Sequence, residues 1–228
     1  MEHSQQELEL LQALKELQGI LAEALNTLEG KVASSPQAEY ASFVAQAVNS
    51  AADGYLVLRH TYRMDASKLL VRPAIELILG GMAVENAPEL LARKAFSEWK
   101  DHGKLFKDHA SQAQHKKNWD EFEKKFRSEC PQYPIQRKRL TILNAAKCAK
   151  MESIYELAYR IYCKFTHGAL EAINGNFDRA TDPCDSHIML WCVGKAIDLL
   201  GRKTPATLPD MKPIYGRMEH LISDPLSS

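Results

Sequence analysis

The 228-residue chain lacks several patterns that indicate a function directly. Its five cysteines are scattered, with no Cys-x-x-Cys pair, which favours a reducing compartment over a disulfide framework. Glycine-rich phosphate loops, His-Glu-x-x-His, Gly-x-Ser-x-Gly and EF-hand spacing are all absent from the sequence. These absences exclude the commonest nucleotide-binding, protease, esterase and calcium-binding classes.

Long apolar runs and an excess of charge of one sign are also missing. The longest apolar run, residues 77–84, is far shorter than the ~20 residues needed to cross a bilayer. The first residues are acidic and polar, unlike the basic and then apolar start of an export signal. Lys and Arg number 29, as do Asp and Glu, so the chain is no general polycation or polyanion. We therefore expect a cytoplasmic protein with no membrane partner.

The residues that are present predict helices. Apolar residues make up 45% of the chain and recur at three- and four-residue steps, and no run alternates with a period of two. The pattern predicts an all-α bundle of five to seven helices. Residues 1–203 are expected to form one domain, and the proline-rich tail over 204–228 is expected to have little regular structure.

Caps and breakers set the expected helix boundaries. The first helix covers residues 5–29, and residues 1–30 are a candidate docking or dimerisation element because leucines line one face. Ser35 and Pro36 start the second helix, and Asp65 caps the third. The predicted helices span residues 5–29, 36–62, 65–84, 88–127 with a break near Gly103, 141–149, 152–173 and 184–200.

Residues 93–139 form the basic part of the chain, with 13 basic and 7 acidic residues interleaved with aromatic residues. Cations that neutralise phosphates beside rings that stack on bases are typical of an RNA-binding surface. Aromatic residues at helical spacing usually face inward, which favours a structural interpretation with solvated lysines. The candidate RNA-binding lysines are Lys104, Lys107, Lys116, Lys117, Lys124 and Lys125.

The helix predicted over 152–173 carries its ionisable residues in one narrow stripe. At 100° per residue, Glu156, Lys164 and His167 fall within 40° of Arg160. Arg160 and His167 lie two turns apart, about 10 Å along the axis, so their long side chains can converge on one phosphate group. The remaining arc is apolar or aromatic, so we expect the helix to be packed on most sides and to leave one polar seam.

The third predicted helix carries a similar stripe, formed by Asp65, Lys68, Arg72 and Glu76. The order Arg72 before Glu76 is the less favourable i,i+4 arrangement, so local helix stabilisation explains the pair poorly. If the two stripes face one another, they form a polar cleft inside the bundle.

These residues resemble a known superfamily. Arg160-x6-His167, within a Tyr-Arg-x6-His-Gly segment, resembles the Arg-x(4 to 6)-His signature of the HEPN superfamily (higher eukaryotes and prokaryotes nucleotide-binding). Arg72-x-x-x-Glu76 is similar to an earlier helix in an uncharacterised bacterial branch of that superfamily. The resemblance covers roughly residues 60–175.

The resemblance implies a helical bundle that forms a homodimer, and a metal-independent endoribonuclease of a toxin–antitoxin or anti-phage defence system. It implies RNA as the substrate, an antitoxin or defence-system subunit as a further protein partner, and neither metal nor cofactor. His167 would transfer protons and Arg160 would hold the phosphate, with Arg72, Glu76 and Lys164 orienting or binding. Attack by the 2′-hydroxyl would leave 2′,3′-cyclic phosphate ends.

Several alternatives stay open. The stripe residues Glu156, Arg160 and Lys164 can be solvated i,i+4 partners, with His167 a capping or core histidine. The chain can equally be a non-catalytic module, such as an antitoxin, adaptor or regulatory subunit, with its seams buried against a partner. Cys163 with His167 permits a nucleophile pair, a weaker hypothesis. Weaker too is a metal site with helical spacing, formed by Asp101, His102, Asp108, His109 and His115.

Overall fold

The computed structural model describes residues 4–29, 35–61, 63–105, 108–166, 182–205, 208–212 and 215–216. This part of the chain is helical and contains no strand, which confirms the predicted all-α bundle. Its helices number eight, because the charged segment predicted over 88–127 splits into two. They are α1 (Gln5–Asn26), α2 (Pro36–His60), α3 (Met64–Asn86), α4 (Leu90–Gly103), α5 (His109–Glu129), α6 (Ile142–Ala149), α7 (Arg160–Thr166), which a π-helical segment (Ile154–Tyr159) precedes directly, and α8 (Asp182–Lys203).

Side-chain caps define several helix starts. The hydroxyl of Ser35 accepts a hydrogen bond from the Ala38 amide at 3.1 Å, with Pro36 as the first helical residue, as predicted. Thr141 caps α6 in the same way, and the Asp108 carboxylate caps α5. The prediction that Asp65 caps α3 is wrong, because Asp65 lies inside a helix that begins at Met64.

The core forms where α2 and α3 pack together and where α1 and α8 cover them. The leucines of α1 face inward, and Leu14, Leu17 and Leu21 are fully buried against the rest of the bundle. Most of this apolar face is used within the chain, whereas Leu8 is 48% exposed, and the expectation that residues 1–30 form a docking or dimerisation element stays a prediction. Burial of the inward face stabilises the bundle by roughly 1.5–3 kcal/mol per leucine.

Two glycines give a matched test of this packing. A Cβ at Gly81 would lie 2.6 Å from Cδ2 of the buried Leu199 and 3.3 Å from Val44, whereas a Cβ at Gly19 on α1 would meet nothing within 4 Å. We expect Gly81→Ala to lower the free energy of unfolding by about 1–3 kcal/mol. Gly19→Ala should raise it by about 0.5–1 kcal/mol, because alanine loses less backbone entropy. Urea denaturation of both variants measures the difference, and equal shifts of the same sign would contradict the packing.

The aromatic residues of the basic segment pack on one another between α4 and α5. Trp99 stacks on the His115 ring, with 5.2 Å between ring centroids. The ring centroid of Trp119 lies 5.4 Å from that of Phe96 and 5.3 Å from that of Phe122. Trp119 also donates a 2.8 Å hydrogen bond to the Glu123 carboxylate, which Arg137 contacts from outside. Trp119 and Phe126 are buried and the other rings in these contacts are partly buried, which supports the structural interpretation, because the rings join α4 to α5.

The described part of the tail is tied to α8. The Tyr215 hydroxyl lies 3.1 Å from an Asp198 carboxylate oxygen and 3.3 Å from the Gly194 carbonyl. Leu208 packs against the core beside Gly201. None of the helices in the described ranges is long and apolar enough to span a membrane.

Candidate functional site

The π-helical segment changes which residues of its helix face the bundle. Its backbone hydrogen bonds join residues five apart, as from the Arg160 amide to the Tyr155 carbonyl. The regular spacing of 100° per residue is therefore interrupted between the residues before and after this segment. Tyr159 and Tyr162 are buried, whereas Leu157 and Ile161 are 51% and 49% exposed. The prediction that this helix is packed on most sides, with only a polar seam exposed, is therefore wrong.

The polar stripe of α3 does meet this helix, at Tyr159. Arg72 and Glu76 are joined through Nε and Oε1 at 3.1 Å, and the Tyr159 hydroxyl donates to the same Glu76 oxygen at 2.7 Å. Nη2 of Arg72 lies 3.4 Å from the Tyr159 oxygen, and the guanidinium carbon lies 5.6 Å from the centre of the tyrosine ring. We call Arg72, Glu76 and Tyr159 the seam cluster.

The seam cluster combines a permanent cation with a phenol that keeps its proton. Burial raises the pKa of Tyr159 above its usual value, and the bond to the Glu76 carboxylate raises it further. Burial by itself lowers the pKa of Arg72, but the Tyr159 bond and the charge of Glu76 outweigh that effect and raise it. The side chain of Arg72 remains 22% exposed. The cluster therefore presents to solvent a fixed ion pair, the Arg72 guanidinium with the Glu76 carboxylate.

Cys163 lies one turn after Tyr159 and is half buried beside the seam cluster. It interacts with the Tyr159 side chain, where it contributes to the raised pKa of the phenol. The cysteine of the nucleophile-pair hypothesis is thus close to the cluster. His167, its second member, lies outside the described residues, so that hypothesis stays a prediction.

The other predicted catalytic residues lie differently. Arg160 points to solvent, with its side chain 65% exposed, and its Nη1 contacts Glu156 at 2.6 Å. That contact raises the pKa of Arg160, and it matches the alternative of a solvated i,i+4 pair. Lys164 belongs to α7, but its side chain, like the whole of His167, lies outside the described residues. The structure thus brings Arg72 and Glu76 together and leaves Arg160 on another face.

A buried ionic network lies deeper in the bundle. Nη2 of Arg59 on α2 is 3.2 Å from Oδ2 of Asp185 on α8, and Nζ of Lys68 on α3 is 3.7 Å from the same oxygen. The Tyr162 hydroxyl donates to the other Asp185 oxygen. Glu7 on α1 completes the network, with Oε1 3.2 Å from Nη1 of Arg59. All these side chains are nearly or fully buried, and together they join five helices.

Neutral hydroxyl groups extend the network. Nε of Arg59 donates to the Tyr55 hydroxyl at 2.9 Å, and that hydroxyl lies 2.9 Å from the Ser186 hydroxyl. Burial and the charge of Asp185 hold the pKa of Tyr162 well above its usual value, so it remains a donor. Of this network, the sequence pattern had drawn attention only to Lys68.

The two polar groups are neighbours along their helices. Lys68 and Arg72 stand one turn apart on α3, about 6 Å along the axis, and Tyr162 and Cys163 are consecutive on α7. Through Lys68 and Tyr162, the buried network therefore stabilises α3 and α7 next to the seam cluster.

The candidate RNA-binding lysines lie on the α4–α5 surface. Lys104, Lys116, Lys117, Lys124 and Lys125 are exposed, and Lys107 lies outside the described residues. Lys104 contacts Asp101 at 2.7 Å, Lys117 contacts Glu121 at 3.8 Å and Lys125 contacts Glu39 at 2.8 Å. Such exposed pairs are weak, so the lysines remain accessible to phosphate, but the nearby aromatic rings are occupied with one another.

The hypothesis of a metal site in this segment finds no support within the described ranges. There, no three Asp, Glu, His or Cys side chains converge in a way that could hold a metal ion. Three of the proposed ligands have other contacts: Asp108 caps α5, Asp101 contacts Arg139, and the Nε2 of His115 lies 2.7 Å from the Trp99 carbonyl.

Comparison with known proteins gives one match. A family model described as a family of unknown function, DUF5677, matches residues 40–185. This range contains α3 to α7, and with them the whole seam cluster, and it ends at Asp185. No curated protein and no solved structure matches the chain.

Proposed function

The chain belongs to the DUF5677 family, whose function is unknown, and we propose that it is a metal-independent endoribonuclease of HEPN type. The observation that carries the proposal is the seam cluster. Glu76 and Tyr159 hold the Arg72 guanidinium of α3 beside the π-helical segment. That segment directly precedes Arg160 and the Arg160-x6-His167 motif. A fixed guanidinium suits a phosphate because it is a permanent cation, and the phosphate would approach it beside the Glu76 carboxylate that Nε and Nη2 contact.

The proposed reaction needs no group beyond side chains. One base removes the proton of the 2′-hydroxyl, whose oxygen attacks the adjacent phosphorus. The bond from phosphorus to the 5′-oxygen breaks, and that oxygen takes a proton from an acid. We assign proton transfer to His167, because histidine titrates near neutral pH. The products are a 2′,3′-cyclic phosphate and a free 5′-hydroxyl.

Arg72 and Arg160 have distinct parts in this proposal. Arg72 is held in place and stabilises charge on the phosphate, with Glu76 orienting it. Arg160 is exposed, and its only described ion pair, with Glu156, is of a kind that contributes about 1 kcal/mol or less. It can therefore exchange that carboxylate for an RNA phosphate when substrate binds. Lys164 and the exposed lysines of α4 and α5 extend the RNA-binding surface in the same proposal.

The proposal includes a homodimer that acts in a toxin–antitoxin or anti-phage defence system, with RNA as the substrate and an antitoxin or defence subunit as a further partner. What supports the dimer is the pair of half-exposed apolar side chains, Leu157 and Ile161, on the helix that carries Arg160. Apolar groups grouped on one helix face are typical of an interface.

A non-catalytic interaction module is the second candidate. The observation that favours it is that Arg72, Glu76 and Tyr159 already bond to one another, as residues of a structural cluster do. In that case Leu157, Ile161 and the exposed Leu69 would contact a protein partner without any cleavage of RNA.

Cleavage of total cellular RNA in the presence of EDTA tests the choice between the two. We expect the purified protein to produce fragments that end in 2′,3′-cyclic phosphate, at the same rate with and without EDTA. Fragments with 3′-hydroxyl ends, or cleavage abolished by EDTA, would contradict the reaction proposed. No cleavage by a folded protein that binds its native partner would favour the interaction module.

A further inference from the structure

A groove with a volume of about 480 Å³ lies between α2, α4 and α5, on elements other than those of the seam cluster. Sites for small molecules are concave, mostly apolar and of roughly 300–1,000 Å³, and they carry a few placed polar groups. The groove is open along one side, so a ligand can enter without movement of a helix.

The walls of the groove are largely aromatic. Tyr40 and Phe43 line it from α2, and Phe122 and Phe126 line it from α5. Phe43 is 50% exposed, although its ring stacks on Tyr40 with 6.2 Å between centroids. A ligand with an apolar body would cover this ring and gain roughly 25 cal/mol for each Å² of apolar surface removed from water.

The charged residues in the lining are mainly acidic. Glu39, Glu98 and Glu121 line the groove, against the single cation Lys125. Each of these carboxylates contacts a lysine: Glu39 contacts Lys125 of the lining at 2.8 Å, and Glu98 and Glu121 contact Lys94 at 3.2 Å and Lys117 at 3.8 Å outside it. Ion pairs with exposed carboxylates are weak, so a ligand ammonium can take the place of a lysine. Faces of aromatic rings also attract cations.

Tyr40 lines the groove, but its hydroxyl is closed to solvent. It is buried and has no hydrogen-bond partner among the described residues, which costs about 1–3 kcal/mol. Burial raises the pKa of Tyr40, and the charge of Glu98 raises it further, so the hydroxyl lies within the field of that carboxylate.

We propose that this groove binds a small organic cation: a protonated amine carried on an aromatic or alkyl body. The apolar body fills the space between Phe43 and Phe122, and the ammonium lies against the Glu98 carboxylate of the lining. The site is independent of the proposed ribonuclease and stands whether or not the chain cleaves RNA.

Two probes with the same body and opposite charge test the proposal. Binding of 4-phenylbutylammonium and of 4-phenylbutyrate to the full chain is measured by ligand-observed NMR titration. We expect the ammonium to bind at least tenfold more tightly than the carboxylate. Phe43→Ser should weaken ammonium binding at least tenfold. Glu98→Gln should weaken ammonium binding but not binding of 4-phenylbutyrate, because it removes a negative charge that repels that probe. Phe43 is half exposed, so its replacement keeps the fold.

Two variants outside the groove serve as matched controls. Leu157→Ser removes an equally exposed apolar side chain, and Glu156→Gln neutralises an exposed, paired carboxylate. Both should bind the ammonium as the wild type does. The proposal is overturned if the ammonium does not bind at millimolar concentration, if the two probes bind equally, or if Leu157→Ser weakens binding as much as Phe43→Ser.

Discussion

Replacing Asp185 with Asn is expected to lower the free energy of unfolding by about 3–5 kcal/mol. Asp185 is nearly fully buried and receives contacts from Arg59, Lys68 and Tyr162. Removing its charge leaves the two buried cations, Arg59 and Lys68, with one carboxylate fewer to balance them. A charge left without a counter-charge in the protein interior costs far more free energy than the loss of an exposed ion pair.

Urea denaturation followed by circular dichroism measures this effect. Glu156→Gln is the control, because it breaks an exposed ion pair with Arg160 and should change the free energy of unfolding by about 1 kcal/mol or less. If Asp185→Asn shifts the unfolding midpoint no more than this control does, then the network does not hold the five helices together as described.

The second large effect concerns Arg72. We expect Arg72→Gln to lower kcat/KM for RNA cleavage by roughly 10²–10³, the usual cost of removing one group that stabilises charge in the transition state. The fall should appear mainly in kcat, because Arg72 is held against the reacting phosphate in the proposal. Stability should change little in comparison, since the side chain is partly exposed.

Arg202→Gln is the matched control for Arg72. Arg202 is also a paired arginine on a helix, with contacts to Glu85 and Asp198, but it lies on α8, far from the seam cluster in sequence. Its replacement should leave cleavage unchanged. Cleavage that survives in Arg72→Gln but fails in Arg160→Gln would remove the seam cluster from the mechanism and leave Arg160 as the cation.

Local signals in the sequence predicted most of the helices. Ser35 with Pro36, and Thr141, mark helix starts because a cap needs only residues within one turn. The meeting of the α3 stripe with the later helix was also predictable in outline, since both carry polar residues on otherwise apolar surfaces. The exposed face of that helix was not predicted, because the π-helical segment at Ile154–Tyr159 rotates its register and no local sequence signal marks such a segment.

The buried network was beyond prediction for a different reason. Arg59 and Asp185 are 126 residues apart, and only the packing of α2 against α8 brings them together. Arg59 stands in the last turn of its helix, a place where exposed basic residues are common, so nothing local marks it as buried. The hydrogen bonds of Tyr159 with Glu76 and Arg72 were not predicted either, because they depend on the register of the π-helical segment.

The most direct test of the proposed function compares the wild type with His167→Ala on total RNA in EDTA. His60→Ala is the control, because His60 is an exposed histidine at the end of α2. We predict that His167→Ala loses cleavage by roughly 10²–10⁴, the contribution of general acid–base catalysis, while RNA binding and the oligomeric state persist. Equal cleavage by the wild type and His167→Ala would contradict the account, because proton transfer would then belong to another residue.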